Sequence, residues 1–157
     1  MKLLIVVLVL AISGAASAQT RTLTRQECHQ GDIDIVNGEI LEYVQSQWCI
    51  NGSVFVLGQL MIGNEVMETL DLGNVRSISG VLVVSGNPRL KFLVSKLKRV
   101  EWVDLSSNPM LTECRAELFA LRAGACNRWV AYHVNQGCGL LQWETEELEA
   151  LQEDCID

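Results

Sequence analysis

Six cysteines, Cys28, Cys49, Cys114, Cys126, Cys138 and Cys155, are the residues of this chain best equipped for chemistry. Their number is even, no Cys-x-x-Cys occurs, and the two histidines, His29 and His133, stand in no ligand-like spacing, so the pattern speaks for three disulfides rather than a metal site. Disulfides form in oxidising compartments and take the thiol out of play as a nucleophile. Asp32 and Asp34 share one face of an expected strand and form the carboxylate pair open to an acid–base reading, but solvated strand carboxylates are the ordinary outcome. Neither histidine falls in a nucleophilic motif, and the expectation is a protein with no catalytic residues, no metal and no cofactor. One modification motif stands out: Asn51-Gly52-Ser53 is the only N-x-Ser/Thr sequon of the chain, which predicts a glycan on Asn51.

The N-terminus agrees with an oxidising destination. Lys2 precedes an apolar run, Leu3 to Ile12, too short to cross a bilayer, and Ala16-Ser17-Ala18 closes it with small residues. Residues 1–18 read as a signal peptide cleaved after Ala18, and no second run of spanning length predicts a membrane anchor. Removing them takes away one lysine and no acid, so the net charge of -7 becomes -8. With no basic stripe to neutralise phosphates, nucleic acid and anionic membrane are excluded as partners, and a basic or neutral one is favoured.

An internal repeat positions these groups. Gly31-Asp-Ile-Asp-Ile35, Gly52-Ser-Val-Phe-Val56 and Gly80-Val-Leu-Val-Val84 each set a glycine before alternating aliphatics, and Glu101-Trp-Val-Asp-Leu105 keeps all but the glycine. Their starts lie 21, 28 and 21 residues apart. Alternation predicts strands, and the period predicts a solenoid whose neighbouring coils bury one another's apolar side. Cys28 and Cys49 share the 21-residue spacing, which stacks them as a disulfide, and so do Asn87-Pro88 and Asn108-Pro109, whose asparagines are placed to form a short ladder. Leu70, Leu72, Val75, Ile78, Leu90, Leu93, Leu97 and Val100 fill the interior between strands. Helix formers from Arg115 to Ala123, stopped by Gly124, predict a short capping helix. A second helix is predicted from Thr145, as N-cap, to Glu153, tied to the body through Cys155.

These residues resemble a known family, the receptor L-domains of the extracellular parts of insulin and epidermal growth factor receptors. The similarity is carried by Cys28-x-x-Gly31-Asp-Ile-Asp-Ile35, the helix-like stretch from Glu39 to Gln47, Cys49-Ile-Asn-Gly52, Ile78-x-Gly80-x-Leu82-x-Val84-x-x-Asn87-Pro88-x-Leu90 and Asn108-Pro109-x-Leu111-x-x-Cys114, over residues 28–138. The resemblance implies a mainly β fold: a short right-handed β-helix with leucine-rich-repeat-like coils and helical caps at both ends. It supports the bridge Cys28 to Cys49 and implies Cys114 to Cys138, which leaves Cys126 for Cys155. The resulting division is a signal peptide at 1–18, the solenoid at 19–139 and an acidic C-terminal helix at 140–157. The family's receptors carry two such domains, a cysteine-rich module, a membrane span and a kinase, none of which this sequence shows. The expectation is therefore a secreted, non-enzymatic domain that binds an extracellular peptide or protein in solution, as decoy, carrier or co-ligand.

The alternation also names a face. With Ile33, Ile35, Val54, Val56, Leu82, Val84, Val103 and Leu105 pointing inward, the outward rows are Asp32, Ser53, Val81, Trp102 and Asp34, Phe55, Val83, Asp104. Phe55, Val81, Val83 and Trp102 form an apolar patch flanked by Asp34 and Asp104, expected to bind the partner. Burial under the C-terminal helix, or under another copy in a self-assembling structural protein, is the rival expectation for the same patch.

Overall fold

The computed structural model describes residues 28–155; the expected signal peptide lies outside them. The chain is mainly β, with three helices and three disulfides among the described residues. Its strands are β1 (His29–Gln30), β2 (Ile33–Asp34), β3 (Cys49–Asn51), β4 (Val54–Leu57), β5 (Met61–Ile62), β6 (Glu65–Val66), β7 (Thr69–Asp71), β8 (Ser77–Ile78), β9 (Val81–Ser85), β10 (Phe92–Val94), β11 (Trp102–Asp104) and β12 (Trp129–Val130). The helices are α1 (Gly38–Ser46), α2 (Glu113–Arg122) and α3 (Gln142–Asp154). None of the described helices is long and apolar enough to cross a membrane.

A five-stranded sheet in the order β12-β11-β9-β4-β2 runs parallel throughout, each strand beside the one laid down before it. A second parallel sheet joins β1, β3 and β8, and a third pairs β7 with β10. Parallel neighbours need a connection that carries the chain back to the start of the next strand. Here α1, the β5–β6 hairpin and the β7 and β10 segments supply that return.

The repeated glycines sit at the corner between the first two sheets, where backbone meets backbone. A Cβ on Gly52 would overlap the carbonyl of Gly31, and one on Gly80 would press on Ser53 Oγ at 2.5 Å and the Gly52 carbonyl at 3.0 Å. Only glycine fits so close a stack. Beyond the corner all eight inward positions of the alternation are buried, together with Leu70, Leu72, Val75, Ile78, Leu90, Leu97 and Val100, while Leu93 packs against them half-buried. Each fully buried aliphatic contributes about 2 kcal/mol of transfer free energy, which makes this stack the main store of stability.

The asparagines form a buried ladder. Asn108 Nδ2 donates to the carbonyls of Leu105 and Val84 at 2.7 and 2.8 Å, and its Oδ1 accepts the Asn87 N–H at 3.0 Å. Asn87 Nδ2 in turn donates to Ser85 and Val56 carbonyls at 3.2 and 3.3 Å. Each side chain thus closes its own turn and fastens it to the preceding one, a task that only an amide with both donors and an acceptor performs.

The longer middle spacing is explained by the β5–β6 hairpin, which turns on Gly63 and Asn64 with Gly63 at φ +63°. Helix α1 is capped by Asn37, whose Oδ1 accepts the Ile40 N–H at 2.9 Å, and α2 by Thr112. Gly124 follows α2 with φ +72°, the stop read from the sequence. Helix α3 starts earlier than Thr145: Leu141 precedes it, and the Glu144 carboxylate caps it by accepting the Leu141 N–H at 2.8 Å. Thr145 lies inside the first turn, its hydroxyl donating back to the Leu141 carbonyl at 3.2 Å, because Glu144 already performs the capping.

Candidate functional site

The outward face of the five-stranded sheet is built by three rows of side chains, one per register position. The row next to the glycine corner reads Asp32, Ser53, Val81 and Trp102. Its polar members are engaged in joining strands: Asp32 Oδ1 accepts the Ser53 N–H at 2.7 Å, and Ser53 Oγ accepts the Val81 N–H at 3.3 Å. The middle row is Asp34, Phe55, Val83, Asp104 and Val130. Phe55, Val81, Val83 and Val130 are half-buried by their neighbours on either side. Asp104 Oδ1 accepts the Ser106 N–H at 2.9 Å, an acid tied to its own turn, while Asp34 stands exposed on the edge strand.

Register therefore unites all six residues expected from the sequence, Phe55, Val81, Val83, Trp102, Asp34 and Asp104, on one side of one sheet. A third row extends the apolar area beyond that expectation. Leu57 pairs in register with Ser85, Val36 lies two residues past Asp34, and Tyr132 is bonded to the Ser106 turn, its N–H donating to Ser106 Oγ at 3.1 Å. Val36, Leu57 and Tyr132 are 67, 65 and 65 % exposed, and Trp102 is 37 % exposed. Val36 and Leu57 continue the same alternation by one step, a signal present in the sequence. Val130 belongs to β12 and Tyr132 follows it by two residues, in a short run that comes after a helix and lacks the glycine that marks β2, β4 and β9.

The C-terminal helix does not cover this face. Instead α2 packs on β10 and α3 on α2. Leu118, Leu121 and Leu148 form a small cluster of their own there, closed by the Cys126–Cys155 disulfide. Arg122 Nε donates to Glu147 Oε1 at 2.8 Å, Arg115 Nη1 to Glu144 Oε1 at 3.4 Å, and the Arg115 guanidinium lies 4.7 Å over the Phe92 ring. The hydrogen bonds from Arg122 hold the Glu147 carboxyl below its ordinary range. On the β7–β10 side, hydrogen bonds from Lys91 and Arg89 do the same for the exposed Glu68.

The disulfides join Cys28 to Cys49, Cys114 to Cys138 and Cys126 to Cys155. Asn51 is exposed at the end of β3, on the sheet that stands across the glycine corner from the apolar face. No family model, curated protein or solved structure matches this chain.

Proposed function

We propose that this chain is a secreted, non-enzymatic recognition module of receptor L-domain type, a short right-handed β-helix that binds an extracellular peptide or protein on the outer face of its five-stranded sheet. The observation that carries the reading is an apolar face that no other described element covers. A solvated sheet face alternates polar residues outward, whereas this one presents Val36, Phe55, Leu57, Val81, Val83, Trp102, Val130 and Tyr132 together. Aromatic anchors set among aliphatics are the side chains that dominate binding energy at interfaces. Support for the β-helix comes from the monotonic strand order, the parallel pairing and the asparagine ladder; support for secretion comes from the leader-like N-terminus and the disulfides.

The partner's chemistry follows from the surroundings. Asp34 and Asp104 flank the apolar residues of the face, and the cleaved chain carries a charge of -8, so an apolar strip flanked by lysine or arginine is the complementary ligand. The same charge opposes stacking of identical copies, which places self-assembly second. Capture from extracellular fluid on the immobilised cleaved chain, followed by affinity measurement on the captured partner, tests the proposal. Trp102→Ala and Phe55→Ala are each expected to weaken binding by about 2 kcal/mol while leaving the fold intact. Unchanged affinity in both folded variants would remove the site from the reading.

A further inference from the structure

Behind the glycine corner, the β1–β3–β8 sheet borders a cleft of about 680 Å³ lined by Asn51, Ser77, Ser79, Arg99, Glu101 and Arg128. Its chemistry is the reverse of the recognition face. Ile78 and Val100 complete the lining but are buried in the core, so the side chains at the surface of the cleft are polar, and they include two guanidiniums in a chain where acids outnumber bases. Among the described residues neither Arg99 nor Arg128 makes an ion pair, and Arg128 Nη2 is anchored by donating to the Gly124 carbonyl at 2.9 Å. Guanidiniums, serine hydroxyls and a carboxylate offer the donors and acceptors that sugar hydroxyls and acetamides use.

We infer that Asn51 carries an N-linked glycan whose first sugars lie in this cleft, held by Arg99 and Arg128. The inference rests on the secretion part of the function proposed above and adds the occupant of a second face. Asn51 is both the sequon asparagine and a lining residue of the cleft, and its exposed side chain makes only a long 3.4 Å hydrogen bond from Nδ2 to Gln30 Oε1, which attachment gives up. In the secretory pathway, Asn51 Nδ2 forms a bond to the anomeric carbon of an N-acetylglucosamine delivered by a lipid-diphosphate-linked oligosaccharide. The carbon–oxygen bond to the diphosphate breaks, the lipid diphosphate leaves with the electron pair, and Nδ2 gives up one proton. The sugar then spreads over Ser77 and Ser79 towards Arg99 and Arg128. This partitions the molecule: glycan on the polar sheet, partner on the apolar one.

The test uses the full chain expressed with its own N-terminus in secreting eukaryotic cells. Mass spectrometry of the Asn51 peptide is expected to show the hexose and N-acetylhexosamine mass ladder, absent in Asn51→Gln. Native wild-type protein and an Arg99→Ala/Arg128→Ala variant are then digested with a peptide N-glycosidase. Release from the variant is expected to be about a hundredfold faster, roughly tenfold for each of the two charge-assisted hydrogen bonds lost, with equal rates after denaturation. Arg128→Ala alone, which gives up a single backbone contact, serves as the folded control and is expected to lie between the two. An unmodified Asn51 in secreted protein overturns the inference and leaves the recognition face untouched. Equal native release rates overturn the cradle, and retention of the chain inside the cells overturns the secretory premise of both proposals.

Discussion

Asn108 shows how much one side chain can be asked to hold. It is fully buried and satisfies three backbone groups at once, the carbonyls of Val84 and Leu105 and the N–H of Asn87. Truncation leaves all three without a partner in the interior, and each orphaned group costs roughly 1–3 kcal/mol. Asn108→Ala is therefore expected to lower stability by about 4 kcal/mol in chemical denaturation, against about 1 kcal/mol for an average substitution. Asn108→Asp keeps the acceptor but turns a carboxylate towards two carbonyls, so it is expected to be more damaging at neutral pH than near pH 4, where the acid is protonated. Equal stability of the wild type and Asn108→Ala would show that the ladder is ornamental. The sequence told of this residue only in part: the 21-residue recurrence of Asn-Pro announced a stacked pair, but not that each amide would reach back to the preceding strand's end.

Elements were legible where a local signal and the tertiary environment agreed. Glycine followed by alternating aliphatics marks β2, β4 and β9, because the glycine is forced by close contact at Gly52 and Gly80 and by a φ of +98° at Gly31, and the alternation by a one-sided core. The β5–β6 hairpin was missed although Gly63-Asn64 is a two-residue turn signal, since its strands are two residues each and bury little. Strand β12 was missed because only its pairing with β11 makes it a strand. The start of α3 was misplaced because a threonine is the more familiar cap than a glutamate reaching back from the first turn. That helix packs on α2 and is tied down by Cys126–Cys155, and its ion pair gives a pH signature. Glu147 is held below its ordinary value of 4.5 by Arg122, so the pair stabilises the fold above that value and loses its contribution as pH falls through the lowered one. With both side chains partly exposed the effect is small, about 0.5 kcal/mol. Glu147→Gln should accordingly lower Tm by about 1–2 °C at pH 7 and leave it unchanged near pH 3, a comparison for scanning calorimetry. A deficit that persists at pH 3 would assign the loss to packing rather than charge.

At the scale of the whole molecule, two properties pull in opposite directions: an uncovered apolar face that would gain by meeting a copy of itself, and a net charge that repels the copy. At neutral pH the net charge of -7 should win, because two like-charged bodies must bring Asp34 and Asp104 of both copies into one desolvated contact. The balance shifts as the carboxylates titrate. The full sequence balances its charges at about pH 4.8, near which the repulsion vanishes while the apolar area remains. Sedimentation should therefore find a monomer at pH 7 across concentration, and concentration-dependent association as pH is lowered towards 5. Added salt at pH 7 should move the wild type the same way by screening the repulsion. Trp102→Asp and Tyr132→Asp place new acids among the anchors and should keep the protein monomeric in all three conditions. Association that survives both substitutions would put the contact elsewhere, on the ends of the sheet or on α3. A stable oligomer at pH 7, insensitive to dilution, would instead favour assembly over recognition, and the face would then be an interface between copies that exists before any partner arrives.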